Sequence, residues 1–266
     1  MTFQQTDLND LKKAKMLLEN TGIATKITNL FGIPIEKGFE LLPDNWNRKI
    51  GEVTQAALSK AAHAAVFTMK DAPGEEASNI WHKIAVAMTG GIGGFFGLPA
   101  LAVELPISTT IMLRSIADIA RSEGETISMI ASKIACIEVF ALGGPSKSDN
   151  AYESGYFAVR AALAGSVKKT AEYIAEKGLT EEGAPALVRL IIQIADRFSI
   201  QVSEKTAAQA IPAIGAAGGA LINTLFIDHF QDVARGHFIV RRLERKYDKK
   251  IVEATYKTVL SKLEDR

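Results

Sequence analysis

Cysteine is almost missing from this chain of 266 residues: there is one, Cys136. A lone thiol excludes an intramolecular disulfide and any zinc site built from several cysteines. It lies in an apolar helical run, 130–142, where cysteine is expected as a small buried hydrophobe rather than a nucleophile. Histidine is scarce, with four residues. Neither HExxH nor HxH spacing occurs, so no metal site is expected. Net charge is missing too, since 31 Lys and Arg against 30 Asp and Glu leave +1. No bulk field draws the chain to nucleic acid, which is excluded as a partner. The P-loop, the GxGxxG fingerprint, the GxSxG elbow and the kinase set are all absent, and no cofactor is expected. The opening MTFQQTDLNDLKKAK lacks the basic region and apolar core of a secretory signal, so the cytoplasm is the expected compartment.

What the chain does have is apolar helix. Hydrophobic residues make up 47% beside 23% charged residues, and mean hydropathy is +0.09. Either much of the chain is interior or part of it meets lipid. Helical spacing recurs throughout and no period-two strand pattern persists. The expectation is an all-α protein of about eight to ten helices. It forms a single multi-helix bundle over 1–266 with central Gly/Ala-rich apolar helices. Residues 1–20 form a peripheral N-terminal helix. Gly22 stops that helix, and a short connection carrying FGIPIEKG (31–38) follows. Helices are expected over 45–69, 126–142, 151–177 and 185–205, with breakers at 70–78, 143–150 and 177–185. A final helix is expected to run from the charge-free stretch 207–227 to about 263, so that 251–266 is its end.

The least ordinary stretch is Gly90–Arg121, with five glycines and two prolines, Pro99 and Pro106, that punctuate it before a helix expected over 107–121. With 84–103 and 207–227 it raises the question of membrane spans, because each of the latter holds at least 20 residues without a formal charge. Proline, many small residues and few leucines argue for a helical hairpin in a bundle, or one opening onto a membrane surface. Glu104 and Arg114 would be costly against lipid. The basic run Arg241–Lys250 reads as a solvated helix face or as a contact for anionic headgroups.

Candidate ligand-binding residues fall in two groups. Glu104, Arg114 and Asp118 follow the glycines. Asp118 is one turn from Arg114 and suited to pair with it. A polar pocket there would grip an anionic head group through Arg114; the plainer alternative is a structural Arg–Asp pair. Asn223, Asp228, His229, Asp232 and Arg235 lie along a second helix, with His237 beyond. His63 and His82 stand alone. Catalytic residues are assigned to none of these. The tetrads Asp118-Ile119-Ala120-Arg121 and Asp232-Val233-Ala234-Arg235 recur 114 positions apart, a weak sign of internal repetition.

The stretches Thr89–Glu125 (TGGIGGFFGLPALAVELPISTTIMLRSIADIARSEGE), Asn29–Pro43 (NLFGIPIEKGFELLP) and Ile211–Glu244 resemble the EcsC protein family. The resemblance covers about 18–250. It implies a bacterial helical protein, from a family named for a gene beside an ABC-type transporter, with no established activity and no catalytic residues to carry over. Two functions therefore stand as expectations. One is a non-enzymatic accessory protein, peripheral to the inner face of the cell membrane, that binds lipid or another apolar ligand and acts with transporter components. The other is a hydrolase using the acid and histidine cluster of Asp228–His237.

Overall fold

The charge-free stretch 207–227 does not form one helix. It is cut at Ile211, whose backbone is extended (φ −72°, ψ 116°), and Pro212 then opens a new helix at its first turn. A proline forces the preceding residue out of the helical region, and its missing N–H is harmless at a helix start. The two helices that meet there, Pro185–Ala210 and Pro212–Lys246, run antiparallel through the middle of the protein. In the computed structural model, residues 3–19, 22–69, 98–144, 155–177 and 185–259 are described. The glycines of 90–97 and His82 lie outside them.

Ten α-helices follow one another among these residues. They are α1 Gln5–Leu18, α2 Ile23–Phe31, α3 Glu36–Phe39, α4 Trp46–Thr68, α5 Leu98–Ser122, α6 Ile130–Glu138, α7 Gly155–Lys177, α8 Pro185–Ala210, α9 Pro212–Lys246 and α10 Lys249–Thr258. A single 3₁₀ turn, Val139–Ala141, extends α6. No strand occurs among the described residues, so the fold is all-α. No described helix is long and apolar enough to cross a membrane.

Three expectations are corrected. The connection after Gly22 is largely helical, forming α2 and α3. Pro106 does not break α5, which continues through it; Leu101, Leu105, Met112, Leu113 and Ile116 hold that helix by burial on both sides of the proline. The C-terminal helix is two helices, because α9 stops at Tyr247 and Asp248 restarts the chain by accepting the Lys250 N–H at 2.8 Å. An aspartate N-cap of this kind satisfies a donor that the first turn otherwise leaves free.

The buried apolar side chains form one continuous core. At its middle are Phe140, Phe198, Phe226 and Phe230, with neighbouring ring centroids 4.9–6.0 Å apart. Each such ring contributes roughly 1.5–3 kcal/mol by leaving water. Helices α5 and α9 lie side by side and run in the same direction. Glu104 reaches the Lys205 that sits over Phe226, Ser115 accepts from Gln231, and Glu125, just past α5, meets Arg241. Helix α1 packs against the far half of α9 through Leu11, Ala14 and Leu18. That contact is close at Gly236, where an added Cβ would fall 2.6 Å from Leu18 Cγ and 3.0 Å from the Ala14 carbonyl oxygen. Cys136 is fully buried, and burial pushes its thiol up to about 12; it is the inert hydrophobe the sequence suggests.

Candidate functional site

The candidate residues divide according to which half of the α5/α9 pair they occupy. In the near half, Glu104 does not open onto a pocket with Arg114. It bonds Lys205 of α8 at 2.5 Å, and the Lys205 ammonium lies 5.0 Å from the Phe226 ring centre. Lys205 is 1% exposed, so this is a buried ion pair tying α5, α8 and α9 together. Burying either charge alone would cost several kcal/mol, which is why both are present.

The Arg114–Asp118 pair does not form. Asp118 instead pairs with Arg121, three residues on, and Arg114 is half-buried without an ion pair among the described residues. Asp232 pairs with Arg235 in the same i,i+3 geometry at 3.0 Å. The two tetrads noticed in the sequence therefore make the same local bond on two parallel helices. Asp232 also lies 3.8 Å from Lys26 of α2.

The remaining residues of the α9 group point in different directions. Asp228 and Arg235 are exposed, whereas His229 is buried against Gly143 and Asn223 presents a buried Oδ1 without a partner. Burial, with Lys26 nearby, brings the His229 imidazole down to about 4. His237 is wholly buried; its Nδ1 is 2.9 Å from the Tyr156 hydroxyl. Burial holds it well below the usual histidine range, with Arg160 and Arg241 adding to the effect. Both rings are thus neutral near pH 7. The acids that would assist them in hydrolysis are on the solvent side of the helix. Among the described residues no group of three or more His, Cys, Asp or Glu is arranged for a metal ion. His63 bonds the Ser59 carbonyl, 2.8 Å away on its own helix.

In the far half, the basic run is committed to partners. Arg241 reaches Glu125, Arg242 reaches Asp10 and Glu123, Arg245 reaches Glu125, and Lys246 bonds Asp7. Asp7 also accepts from the Tyr247 hydroxyl at 2.6 Å. The hydrogen bonds from Lys246 and Tyr247 hold the Asp7 carboxyl below its ordinary range. Glu125 is buried, which alone would raise it, but Arg241, Ser132 and Arg245 together bring it down. One turn beneath, Arg160 of α7 grips Glu244 through two bonds of 2.8 and 2.9 Å. These contacts fasten α1, α5 and α7 to α9, and they leave few of its cations for a headgroup.

The EcsC protein family matches over residues 5–243. The chain belongs to the EcsC family. No curated protein and no solved structure matches it.

In this EcsC chain the sequence did not single out Lys205, Glu204, Glu138, Tyr156, Arg160 or Asp7. Two of them carry a readable signal. Lys205 stands seven residues after Phe198 and three after Val202, on the same buried stripe of α8. Asp7 stands four before Leu11 on the buried stripe of α1. A charge on an apolar stripe announces a buried partner. Glu204 and Glu138 carry no such mark. Burial raises both carboxyls, opposed at Glu204 by the Ala24 N–H and at Glu138 by Arg160 and Arg241.

Proposed function

We propose that this EcsC-family protein is a non-enzymatic accessory protein that contacts a lipid surface, or an apolar ligand drawn from it, with one end of the bundle. What supports the reading is a group of exposed apolar side chains from four elements at one end of the bundle. Around the α8–α9 turn, Leu30, Phe39, Leu41, Val103, Ile107 and Leu221 are between 39% and 63% exposed. They come from α2, α3 and its following turn, α5 and α9. These elements are brought to one end by the Gly38 contact with Ala207, the Phe31 contact with Gly218 and the Glu104–Lys205 pair. Groups of exposed apolar side chains mark surfaces that meet a partner or a membrane. Exposed charges at this end, Glu36, Lys37, Glu40, Asp44 and Arg48, nearly cancel. Contact would then rest on apolar insertion rather than on attraction to anionic lipid. Family membership supports a role beside transport machinery, and the peripheral cytoplasmic location follows from that role.

The test is flotation with phosphatidylcholine vesicles at low and high salt. The protein should float at both. Leu41→Glu with Val103→Glu should remove it from the vesicle fraction without lowering the melting temperature. A wild-type protein that stays at the bottom of the gradient under all conditions overturns the reading.

A further inference from the structure

Helix α2 has a glycine at each end. Gly22 precedes it and Gly32 ends it in the left-handed conformation (φ 66°), and a Cβ at either would meet no group within 4 Å among the described residues. Such positions let nine residues swing as a unit at little steric cost. The helix is seated by Ile23 and Ile27, both fully buried, by Phe31 over Gly218, and by Lys26 with Asp232. Its first turn meets α8 at Glu204. The backbone N–H of Ala24 faces that carboxyl and favours its charged form. Yet Glu204 is only 9% exposed, and its Oε2 is buried without a partner.

The charged groups on the surrounding elements are occupied elsewhere. Lys205 holds Glu104, Lys26 holds Asp232, and His229 lies against Gly143. On α3, Glu36 and Lys37 face solvent; on the start of α4, Arg48 pairs with Glu52. A buried carboxylate oxygen with neither donor nor cation is costly when charged and much less so when protonated.

We propose that α2 is a hinged segment whose seating on α8 and α9 is controlled by a proton on Glu204. Seated, the helix shields a carboxylic acid. When the acid ionises, the seated state holds an unpaired buried charge that swinging out would hydrate. Burial raises the seated carboxyl above its ordinary 4.5. A raised carboxyl contributes stability below its unseated value, and that contribution is lost as pH rises toward the seated value. Seating therefore weakens on going from acid to neutral pH. His229 acts in the opposite sense, disfavouring the seated state only as pH falls below 6.5, so the two are separable by direction. Unseating uncovers Ile23, Ile27 and the Gly218 surface. The proposal does not require lipid, and its test uses none.

Hydrogen exchange of the full chain decides it, following the amides of 23–31 against those of α4 between pH 5 and 8, corrected for intrinsic exchange. Relative to Glu204→Gln, the opening constant of wild-type α2 should rise by up to about tenfold per pH unit until the seated value is passed, the slope of one proton. Glu204→Gln itself should keep only the opposite trend that His229 imposes below pH 6.5. A wild-type profile that runs parallel to that of Glu204→Gln overturns the proposal. Should Glu204→Gln lose α4 protection as well, carbon NMR of the wild-type carboxyl replaces it. Glu204 should then titrate above 4.5 together with the α2 amide shifts, and a midpoint at or below the ordinary value overturns the proposal.

Discussion

The two halves of α9 share one apolar core and differ in what is added to it. From 212 to 227 the helix bears no formal charge. It is fixed by buried rings, by close approach at Gly218, and by one ion pair lying across it. From 228 to 246 it is buried through Phe230, Val233, Phe238, Val240 and Leu243, and is fixed in addition by a lattice of arginine and lysine bonds to α1, α7 and the end of α5. Apolar contacts are non-directional and tolerate sliding; paired charges specify register but depend on pH and, where exposed, on salt. The near half suits a surface that adapts to a partner, and the far half suits an anchor. That contrast can be broken or sharpened by substitution.

The largest effect is expected at the one charge pair inside the apolar half. Lys205→Ala leaves Glu104 without its cation and should destabilise by about 3–5 kcal/mol in chemical denaturation. Lys205→Met combined with Glu104→Gln should recover most of that loss. If the double variant is as unstable as the single, the pair specifies the packing rather than merely neutralising itself. Next comes close approach. Gly38→Ala places a Cβ inside the Ala207 carbonyl group, which is backbone and cannot turn aside. Gly236→Ala meets mostly the flexible Leu18. Both should cost about 1–3 kcal/mol, with Gly38 at the upper end. Equal losses would show that α3 is free to shift, contrary to the seat described for it.

Acid should separate the halves without mutation. Asp7 and Glu125 have carboxyls lowered from ordinary values of 3.8 and 4.5. Each contributes stability that is complete above its unfolded value and is lost as pH falls through the lower folded one. Exchange protection of α1 should therefore collapse below about pH 4, ahead of α4. Simultaneous loss would mean that the anchor does not depend on these pairs. The smallest effect is expected at Arg48–Glu52, where both side chains are more than two-thirds exposed. Glu52→Gln should change stability by less than about 0.5 kcal/mol.

Much of the helix order was legible from periodicity alone. The stripe Leu187, Leu190, Ile191, Ile194 and Phe198 places α8 correctly, and α4 begins and ends within a residue of its expected bounds. What misled were punctuating residues. Pro106 was read as a break because proline lacks a donor, but packing of Leu105, Ile111 and Met112 around it outweighs one lost bond. Gly22 was read as the start of a connection because α2 is short, and a nine-residue helix has little local stability to signal itself. The site was less legible still. Arg114 and Asp118 have the right spacing for a pair, and so do Asp118 and Arg121. Both spacings bring side chains together on a helix, so spacing could not choose between them.

The sequence alone determined the helical class, the family, the inertness of Cys136 and the existence of a charge-free stretch. These depend on neighbours within a turn or two, and such neighbours are written consecutively. Only the tertiary structure decided that Lys205 meets Glu104, that Glu204 lies at the head of α2, and that the basic end of α9 is closed by Asp7, Glu123 and Glu125. Those partners are between 101 and 239 residues apart. A charge in the sequence states that it needs a partner or water; which one it receives is fixed when the helices pack.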